Sequence, residues 1–353
     1  MSFNLQDTAE QIKGNCNISD SRFWGYLSLC NMLLRMRELY FHEHNLRPWD
    51  KIDKGQVGDW ISNRESLWET LEEKDLNRIR IGNSELEPFA LDEINAVVEP
   101  HGYIYGGGYG VLKKPNFFLA DLKKKENHKD LDVYYLGREV VHDLTPHVAM
   151  YQNEKIYIRM EIFENYLYQK FMELKKEFHA DSLRKGFEYY KIDVNNYPQK
   201  PGAVFATLAS ELVPVLLWHE LGEAGERPGE DQPLWQEMLA AADNKLTEIR
   251  LRAIKDVLAD NSDGGTLKNI IEAKEEGMLY FHLSLIDESR KHAFGEVHSA
   301  LCGFEKSRSW QQLDDARRKV REKAENTRNE ALRLYKDKKD ILSVAEFLKK
   351  QFS

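Results

Sequence analysis

The hydrophobic period of this chain changes twice, and that change constrains the fold more than any other feature. Residues 21–42 and most of the chain after residue 161 space their apolar side chains three and four positions apart, which predicts helices. Between about 100 and 160, short runs of β-branched and aromatic residues follow one another with turn residues between them. Consecutive strands without intervening helices favour antiparallel pairing. We therefore expect an α+β fold that is mainly α, with N-terminal helices and a small antiparallel β-sheet insert.

The first predicted helix covers residues 21–42 and is opened by the run 19–21. Serine and aspartate accept hydrogen bonds from the free backbone N–H groups at a helix start. The apolar positions form two adjoining rows, which predicts a largely buried helix: Phe23, Leu27, Cys30, Leu34 and Phe41, then Tyr26, Leu29, Leu33 and Met36. Cys30 is interpreted as a small core residue.

The segment 195–202 contains two prolines, two asparagines and a glycine, so we place the domain boundary there. It separates an N-terminal α+β domain, 1–200, from a C-terminal all-α helical-bundle domain, 201–353. In the second domain, apolar residues at helical spacing predict one helix from 233 to about 260: Trp235, Met238, Ala242, Leu246, Ile249, Ala253 and Val257.

Composition restricts the classes of function. The chain has 353 residues, 42% of them hydrophobic, which is enough for a sizeable core. Its net charge of −9 argues against extended nucleic-acid binding, which needs a basic footprint. The longest apolar run, 212–218, is too short to cross a bilayer, and residues 1–14 lack the apolar region of a signal peptide. We therefore expect a cytoplasmic protein without a membrane partner.

The three cysteines, Cys16, Cys30 and Cys302, fit no zinc-binding spacing. An odd number of cysteines in a chain without a secretory signal favours reduced thiols. This expectation agrees with a cytoplasmic protein.

The apolar run ends in a polar cluster, His219-Glu220-Leu221-Gly222-Glu223. His219 and Glu223 are four positions apart and hence on one helix face, where both can bind one metal ion. Glu220 stands beside them as the glutamate does in the zinc motif H-E-x-x-H, where it acts as the general base. Glu223 replaces the second histidine of that motif, so the cluster is an incomplete site. It predicts a divalent metal ligated by His219 and Glu223, with Glu220 in a catalytic role.

A second interpretation of the same cluster is a helix end that leaves the core and meets water. Gly222 and Gly225 favour a helix C-terminus, where a histidine interacts well with the helix dipole. A metal site would need further ligands from elsewhere in the domain, for which the candidates are His282, Glu296 and His298.

A polar stripe follows one face of the first predicted helix: Ser28, Asn31, Arg35, Glu38 and His42. An exposed stripe would be the solvated face of the helix. A stripe that faces a cleft would supply Arg35 and Glu38 as catalytic groups and His42 as a metal ligand. Arginine in that place could hold a carboxylate or a phosphate.

The pair Glu139-x-x-His142 matches the carboxylate–histidine spacing of di-iron bundles. It lies in a predicted strand, where residues three apart point to opposite faces. We therefore interpret the match as accidental.

Several short segments near the N-terminus resemble one known family: residues 14–20, Ser28-Leu29-Cys30, Leu33-Leu34-Arg35, Arg37-Glu38-Leu39-Tyr40 and Leu46-Arg47-Pro48-Trp49. They are similar to a family of uncharacterised bacterial proteins, described as a domain of unknown function. The resemblance covers residues 14–70 best. It implies a bacterial cytoplasmic protein with two domains that meet near residue 200, and it supplies no activity, cofactor or site residue.

Two hypotheses about function remain open at this point. The first is a metal-dependent or acid/base enzyme whose site lies between the domains, with His219, Glu220 and Glu223 on one wall and the stripe of Arg35, Glu38 and His42 on the other. The second is a non-catalytic interaction or regulatory protein. In that case the charged segment 309–336, with its thin apolar seam, would bind a protein partner or a second copy of the chain.

Overall fold

The structure is a computed structural model that describes residues 3–128, 130–174, 181–226, 232–242, 244–286 and 288–352. The side chains at 288, 289, 292, 301, 302, 305 and 338 lie outside this description, and so does the interpretation of Cys302. The chain is 64% helical with 15% strand, which confirms an α+β, mainly α, fold. It forms two compact units. Unit 1 comprises Met1–Val148 and Tyr157–Tyr168, and unit 2 comprises Ala149–Ile156 and Gln169–Ser353.

The helices of unit 1 lie at its N-terminus, before the sheet, and at its end: α1 (Leu5–Phe23), α2 (Leu29–Glu43), α3 (Lys54–Glu69), α4 (Leu91–Val98) and the first part of α5 (Met160–Leu174). Short 3-10 helices occur at Trp24–Tyr26, Glu99–His101 and Val111–Lys113.

In the part of the chain that the structure describes, seven strands form two sheets: β1 (Ile79–Ile81), β2 (Ser84–Leu86), β3 (Tyr103–Tyr109), β4 (Pro115–His128), β5 (Leu131–His142), β6 (Ala149–Gln152) and β7 (Lys155–Arg159). Strands β1 and β2 make a small antiparallel pair, and the other five form a curled sheet in the order β3-β4-β5-β7-β6. Antiparallel pairing joins β3 to β4 and β4 to β5, with bulges around Ala120. The five-stranded sheet is mixed, so the prediction of a purely antiparallel insert was too narrow.

The core of unit 1 lies between α1 and the start of the sheet. Ile12 on α1, Tyr105 on β3 and Phe117 on β4 are fully buried there. The glycines of β3 leave room for the aromatic rings of β4, because a Cβ atom at Gly106 would overlap the ring of Phe118. The run of glycines in β3 therefore has a steric reason.

The N-terminal helix prediction was wrong in its bounds. The run Ser19-Asp20-Ser21 is buried in the last turns of α1 instead of opening a helix. The chain then breaks, and Ser28 caps α2 by accepting a hydrogen bond from the N–H of Asn31. Half of the predicted apolar face is exposed: Tyr26, Leu29, Cys30, Leu33 and Leu34. The interpretation of Cys30 as a core residue is therefore corrected.

Unit 2 is helical apart from its share of β6 and β7. Beyond the end of α5 it contains α6 (Asp181–Tyr189), α7 (Pro201–Gly225), α8 (Gln232–Ala240), α9 (Lys245–Asn261), α10 (Thr266–Ala273), α11 (Glu276–Ser284), α12 (Glu288–Ala293), α13 (Glu296–Ser307), α14 (Trp310–Lys338) and α15 (Ile341–Gln351).

The segment 195–202, where the sequence predicted a domain boundary, lies inside unit 2. Its second proline, Pro201, occupies the first turn of α7, a position that tolerates proline because the N–H there has no helical partner. The single helix predicted from 233 to 260 is two helices. Asn244 starts the second one by accepting a hydrogen bond from the N–H of Thr247 at 2.9 Å, and Leu246 is consequently exposed.

Helix α7 is mostly apolar before its last two turns. Within the described part of the chain it is the one helix long and apolar enough to cross a membrane, a test that core helices also pass. Phe205, Leu208 and Leu212 are nearly fully buried inside unit 2.

Candidate functional site

The last two turns of α7 carry the polar cluster that the sequence singled out. His219, Glu220 and Glu223 lie on neighbouring positions of one helix face. Glu220 is 5% exposed, and the side chains of His219 and Glu223 are 26% and 14% exposed. A helix end that meets water would expose these groups, so the geometry differs from that second interpretation.

Helix α9 approaches α7 closely at this place. Gly222 has no side chain, and a Cβ atom there would collide with the backbone carbonyl of Ala259 on α9. The close approach sets Asp256 and Asp260, one turn apart on α9, beside the polar face of α7. The glycine inside the cluster therefore serves helix packing.

Three side chains at the junction of α7 and α9 could hold one metal ion. His219, Glu223 and Asp256 each offer a ligand atom, and these atoms lie within 4.8 Å of one another. The Nδ1 atom of His219 is 2.8 Å from Oδ1 of Asp260, so Nε2 is the nitrogen left to face an ion. A carboxylate that orients a histidine ligand in this way is a frequent partner of protein metal sites.

Negative charge exceeds positive charge at this junction. Four carboxylates, Glu220, Glu223, Asp256 and Asp260, face His219 and two other cations. Lys255 donates to Glu223 at 2.8 Å, whereas Arg290 lies 3.7 Å from Asp256 and 3.6 Å from Asp260. Within the described residues, no hydrogen bond or ion pair reaches the carboxyl of Glu220.

This charge balance shifts the pKa values of the cluster. Burial raises the pKa of Glu220 to about 8, with His219 opposing the shift. Burial also raises the pKa of Asp256. Burial alone would lower the pKa of His219, but the carboxylate of Asp260 raises it to about 10. Burial would raise the pKa of Asp260, but the charge on His219 holds it well below its usual value. The carboxyl groups of Glu220 and Asp256 therefore ionise at higher pH than ordinary carboxyl groups.

A pocket of about 340 Å³ opens beside the cluster within unit 2. Glu223 and Lys255 belong both to the cluster and to the pocket wall. The remaining lining residues come from the β6–β7 turn and from α7, α8, α9 and α14: Tyr151, Gln152, Asn153, Glu154, Glu226, Gln232, Trp235, Gln236, Leu258 and Arg328. The candidate site is thus a buried polar cluster that adjoins a small cavity.

The other predicted ligands of the second domain are placed differently. His282 is buried on α11 and close enough to Asp260 to lower the pKa of that carboxyl. Glu296 pairs with Lys323 at 3.0 Å, and His298 is exposed on α13. Of the three, only His282 belongs to the cluster.

The predicted polar stripe on the first helix lies in unit 1, whereas the cluster of His219, Glu220 and Glu223 lies in unit 2. On α2, Arg35 donates to Glu38 at 2.8 Å, so these two side chains satisfy each other at least in part. The rings of His42 and His142 are in contact in a tilted arrangement, with centroids 4.0 Å apart. Among the described residues of unit 1, no group of side chains is placed to hold a metal ion. The predicted roles of Arg35, Glu38 and His42 therefore stay predictions.

A network of buried charges surrounds His142 at the end of β5. Glu139 accepts two hydrogen bonds from Arg159, at 2.9 Å and 2.7 Å. Lys114 lies between Asp20 and Asp143, at 2.9 Å and 3.2 Å. Glu139 and His142 do lie in a strand, as the sequence predicted, and the carboxylate binds an arginine. Sequence reasoning missed this network, since its members lie far apart along the chain.

Sequence reasoning also missed Asp256 and Asp260. Asp260 is buried on α9, and Asp256 lies half-buried one turn before it; aspartates are uncommon at such positions unless they are paired. The spacing of four positions between these two aspartates was the feature of the sequence that could have revealed them. Asp256 and Asp260 complete the cluster that His219 and Glu223 begin.

Comparison with family models covers nearly the whole chain. The N-terminal domain model of a family of unknown function (DUF6866) matches residues 7–159, and the C-terminal domain model of that family matches residues 164–352. Comparison with curated proteins and with solved structures gives no match. The resemblance to an uncharacterised family is confirmed, while a bacterial origin stays a prediction. The chain belongs to the family of unknown function DUF6866 and contains both of its domains.

Proposed function

We propose that this protein is a metal-dependent enzyme whose site is the cluster at the junction of α7 and α9. The observation that carries the proposal is the triad of His219, Glu223 and Asp256, whose ligand atoms lie within 4.8 Å of one another. One imidazole and two carboxylates suit zinc or manganese. A cation held by three protein groups keeps further positions open for water or substrate.

Binding a cation would change the cluster in two ways. Ligand atoms about 2.0–2.2 Å from a zinc ion are roughly 3.3 Å apart, so the three side chains must close in by rotamer changes. A cation would also compete with Lys255, which donates to Oε2 of Glu223 at 2.8 Å in the structure. The positive charge of the cation would offset the excess of carboxylates and favour their ionised forms.

Glu220 then has a definite chemical role. It is buried beside the ligands, and no partner within the described residues occupies its carboxylate. It would accept a proton from a water molecule activated at the cation, as a general base does. The class of reaction we propose is therefore metal-assisted attack by water.

The test is metal binding by the purified protein after removal of metals, measured by titration calorimetry with Zn²⁺ and Mn²⁺ and by elemental analysis. We expect one ion per chain. His219→Ala and Asp256→Asn should each weaken binding by about tenfold or more, since each removes a ligand, and Asp260→Asn by about 10–100-fold through loss of ligand orientation. Lys255→Met should tighten binding, because it removes the competitor of the cation for Glu223.

Matched control variants exist in the same unit. His298→Ala removes an exposed histidine and Asp315→Asn an exposed carboxylate, and neither should change the affinity. A protein that binds neither ion, or ligand variants that behave like these controls, would contradict the proposal.

The alternative is an interaction protein that uses the charged segment 309–336. The apolar seam of α14 is buried inside unit 2, where the helix packs on α9 and α13: Leu313, Ala316, Val320, Ala324 and Ala331. That seam therefore gives the alternative no support, and only the polar face of α14 is left for a partner.

The remaining parts of the proposal concern setting and architecture. We keep a helical bundle for residues 201–353, supported by the packing of α9 against both α7 and α14. We also keep the bacterial cytoplasm as the setting, in agreement with the free thiols of Cys16 and Cys30.

A further inference from the structure

The size and the lining of the pocket beside the metal cluster indicate the kind of substrate that the site could bind. Its volume of about 340 Å³ fits a small molecule and not a folded polymer. Glu223 is shared between the pocket and the three proposed ligands, so a molecule in the pocket would lie next to the cation. This inference rests on the proposed function and specifies what the site binds.

Three carboxylates, of Glu154, Glu223 and Glu226, and two cations, Lys255 and Arg328, line the pocket. A metal ion bound at Glu223 would shift this charge balance toward an anionic ligand. Glu226 is neutralised by Arg321 at 2.7 Å, whereas Arg328 lies 3.9 Å from Glu226, beyond hydrogen-bond distance. Its bonds to the neighbouring Asn329 are long, at 3.4 Å. A metal ion bound to Glu223 would weaken the bond of that carboxylate to Lys255. Two cations would then line the pocket with donors to spare, and charge-assisted bonds to a carboxylate or phosphate are the strong ones.

An amide group also lines the pocket without a partner. The side chain of Gln152, at the end of β6, makes no hydrogen bond among the described residues, and its Oε1 atom is buried. A buried acceptor without a donor costs about 1–3 kcal/mol. A ligand with its own amide N–H would supply the donor and could accept in turn from the amide nitrogen of Gln152.

The remaining wall is apolar. Trp235 on α8 and Leu258 on α9 are 5% and 2% exposed and line the same pocket. They offer a surface for the hydrocarbon or aromatic part of a ligand. The pocket therefore combines an anion-binding side, an amide-binding side and an apolar side.

We infer that the pocket binds a small N-acylated organic acid, with its anionic group toward Arg328 and Lys255 and its amide toward Gln152. The anionic group is a carboxylate or a phosphate, and a direct comparison distinguishes the two.

The experiment uses hippurate, which carries an amide, a carboxylate and a phenyl ring. Its binding to the zinc-loaded protein is measured by calorimetry beside three probes: hippurate methyl ester without the charge, 4-phenylbutyrate without the amide, and phenyl phosphate with a phosphate instead. We expect hippurate to bind at least tenfold more tightly than the ester and more tightly than 4-phenylbutyrate. Binding of phenyl phosphate alone would overturn the amide assignment.

Two variants locate the contacts. Arg328→Gln should weaken hippurate binding about tenfold, whereas Arg333→Gln, on the same helix but exposed, should not. Gln152→Leu should remove the preference for hippurate over 4-phenylbutyrate without removing the preference over the ester. The comparison of probes on the unaltered protein stands even where a variant does not fold.

Failures of the two proposals are distinguishable, because hippurate is titrated into both the metal-free and the zinc-loaded protein. A protein that binds zinc but prefers hippurate to neither analogue overturns this inference alone. A protein that binds hippurate with the expected preferences but takes up no metal supports the pocket assignment and contradicts the metal-dependent function.

Discussion

The two units pair the carboxylates of their charge clusters differently. In unit 1, each carboxylate of the network at the end of β5 has a cation within reach, as in the twofold bond between Arg159 and Glu139. In unit 2, carboxylates exceed cations at the junction of α7 and α9, and Glu220 has no partner among the described residues. The unit 1 network is buried and the unit 2 cluster is partly buried, and the pairing of their carboxylates differs.

The difference separates structure from function. A buried ion pair that is fully hydrogen-bonded holds its elements in one arrangement, and removal of one partner is costly. A cluster with an excess of buried negative charge costs stability in the free protein and is relieved by a bound cation. Unit 1 should therefore respond to lost charges by unfolding, whereas unit 2 should become more stable.

The largest effect should follow from Arg159→Met in unit 1. The variant leaves the carboxylate of Glu139, which is 2% exposed, without its partner. We expect the free energy of unfolding to fall by about 3–5 kcal/mol, measured by denaturant titration with hydrogen exchange of peptides from β4 and β5.

The control for this variant adds Glu139→Gln to Arg159→Met. The second substitution removes the unpaired negative charge of Glu139, so it should restore part of the lost free energy of unfolding. A single variant within about 1 kcal/mol of the unaltered protein would show that the pair does not hold unit 1 together.

The unit 1 network shows why sequence reasoning failed where it did. Ser19-Asp20-Ser21 has the composition of a helix start, and the sequence predicted one there. Asp20 is instead buried, where it binds Lys114 and the backbone N–H of Leu144, 124 positions away along the chain. Helix propensity depends on neighbouring residues along the chain, so it cannot identify such distant partners. The helices and strands were predictable from period, but their bounds near buried charges were not.

The next effect should follow from Gly222→Ala in unit 2. The added methyl group would press on the carbonyl of Ala259 and separate α7 from α9. We expect a loss of about 3 kcal/mol in the free energy of unfolding and weaker zinc binding, because the ligands lie on both helices.

Gly225→Ala is the matched control, three positions further along the same helix. A Cβ atom there meets nothing within 4 Å, so the variant should be neutral or slightly stabilising. Equal effects of the two substitutions would contradict the close approach of the helices as the basis of the site.

The candidate site was half predictable for the same reason. His219, Glu220 and Glu223 share one helix turn, so their spacing revealed them. Asp256 and Asp260 come from a helix about 35 residues later and join the cluster only through the packing at Gly222. Periodicity assigns a residue to the buried face of a helix but does not identify the residue opposite.

A gain in stability is expected from Glu220→Gln, in contrast with the losses in unit 1. Burial raises the pKa of Glu220 to about 8 from its ordinary value of 4.5. A raised pKa means that the stability is fully present below pH 4.5 and is lost as the pH rises toward 8. The variant should be more stable than the metal-free protein by about 2 kcal/mol at pH 7, with no difference at pH 4.

Denaturant titrations at several pH values measure this gain. Saturating zinc should abolish it, because the cation stabilises the ionised carboxylate. A variant that is less stable than the unaltered protein at pH 7 would indicate that Glu220 has a structural partner.

The smallest effect concerns the histidine of the unit 1 network and has the opposite pH dependence. Burial lowers the pKa of His142 to about 4 from 6.5, assisted by the charge on Arg159. A lowered histidine pKa means that stability is present above pH 6.5 and is lost as the pH falls toward 4, because the unfolded chain takes up the proton first. Between pH 7 and 5.5 the unaltered protein should therefore lose about 1 kcal/mol that His142→Gln retains. The two variants should flatten opposite limbs of the plot of unfolding free energy against pH. His142→Gln should flatten the acid limb, which comes from unit 1. Glu220→Gln should flatten the limb at rising pH, which comes from unit 2. If both flatten the same limb, the contrast between a paired and an unpaired cluster does not hold.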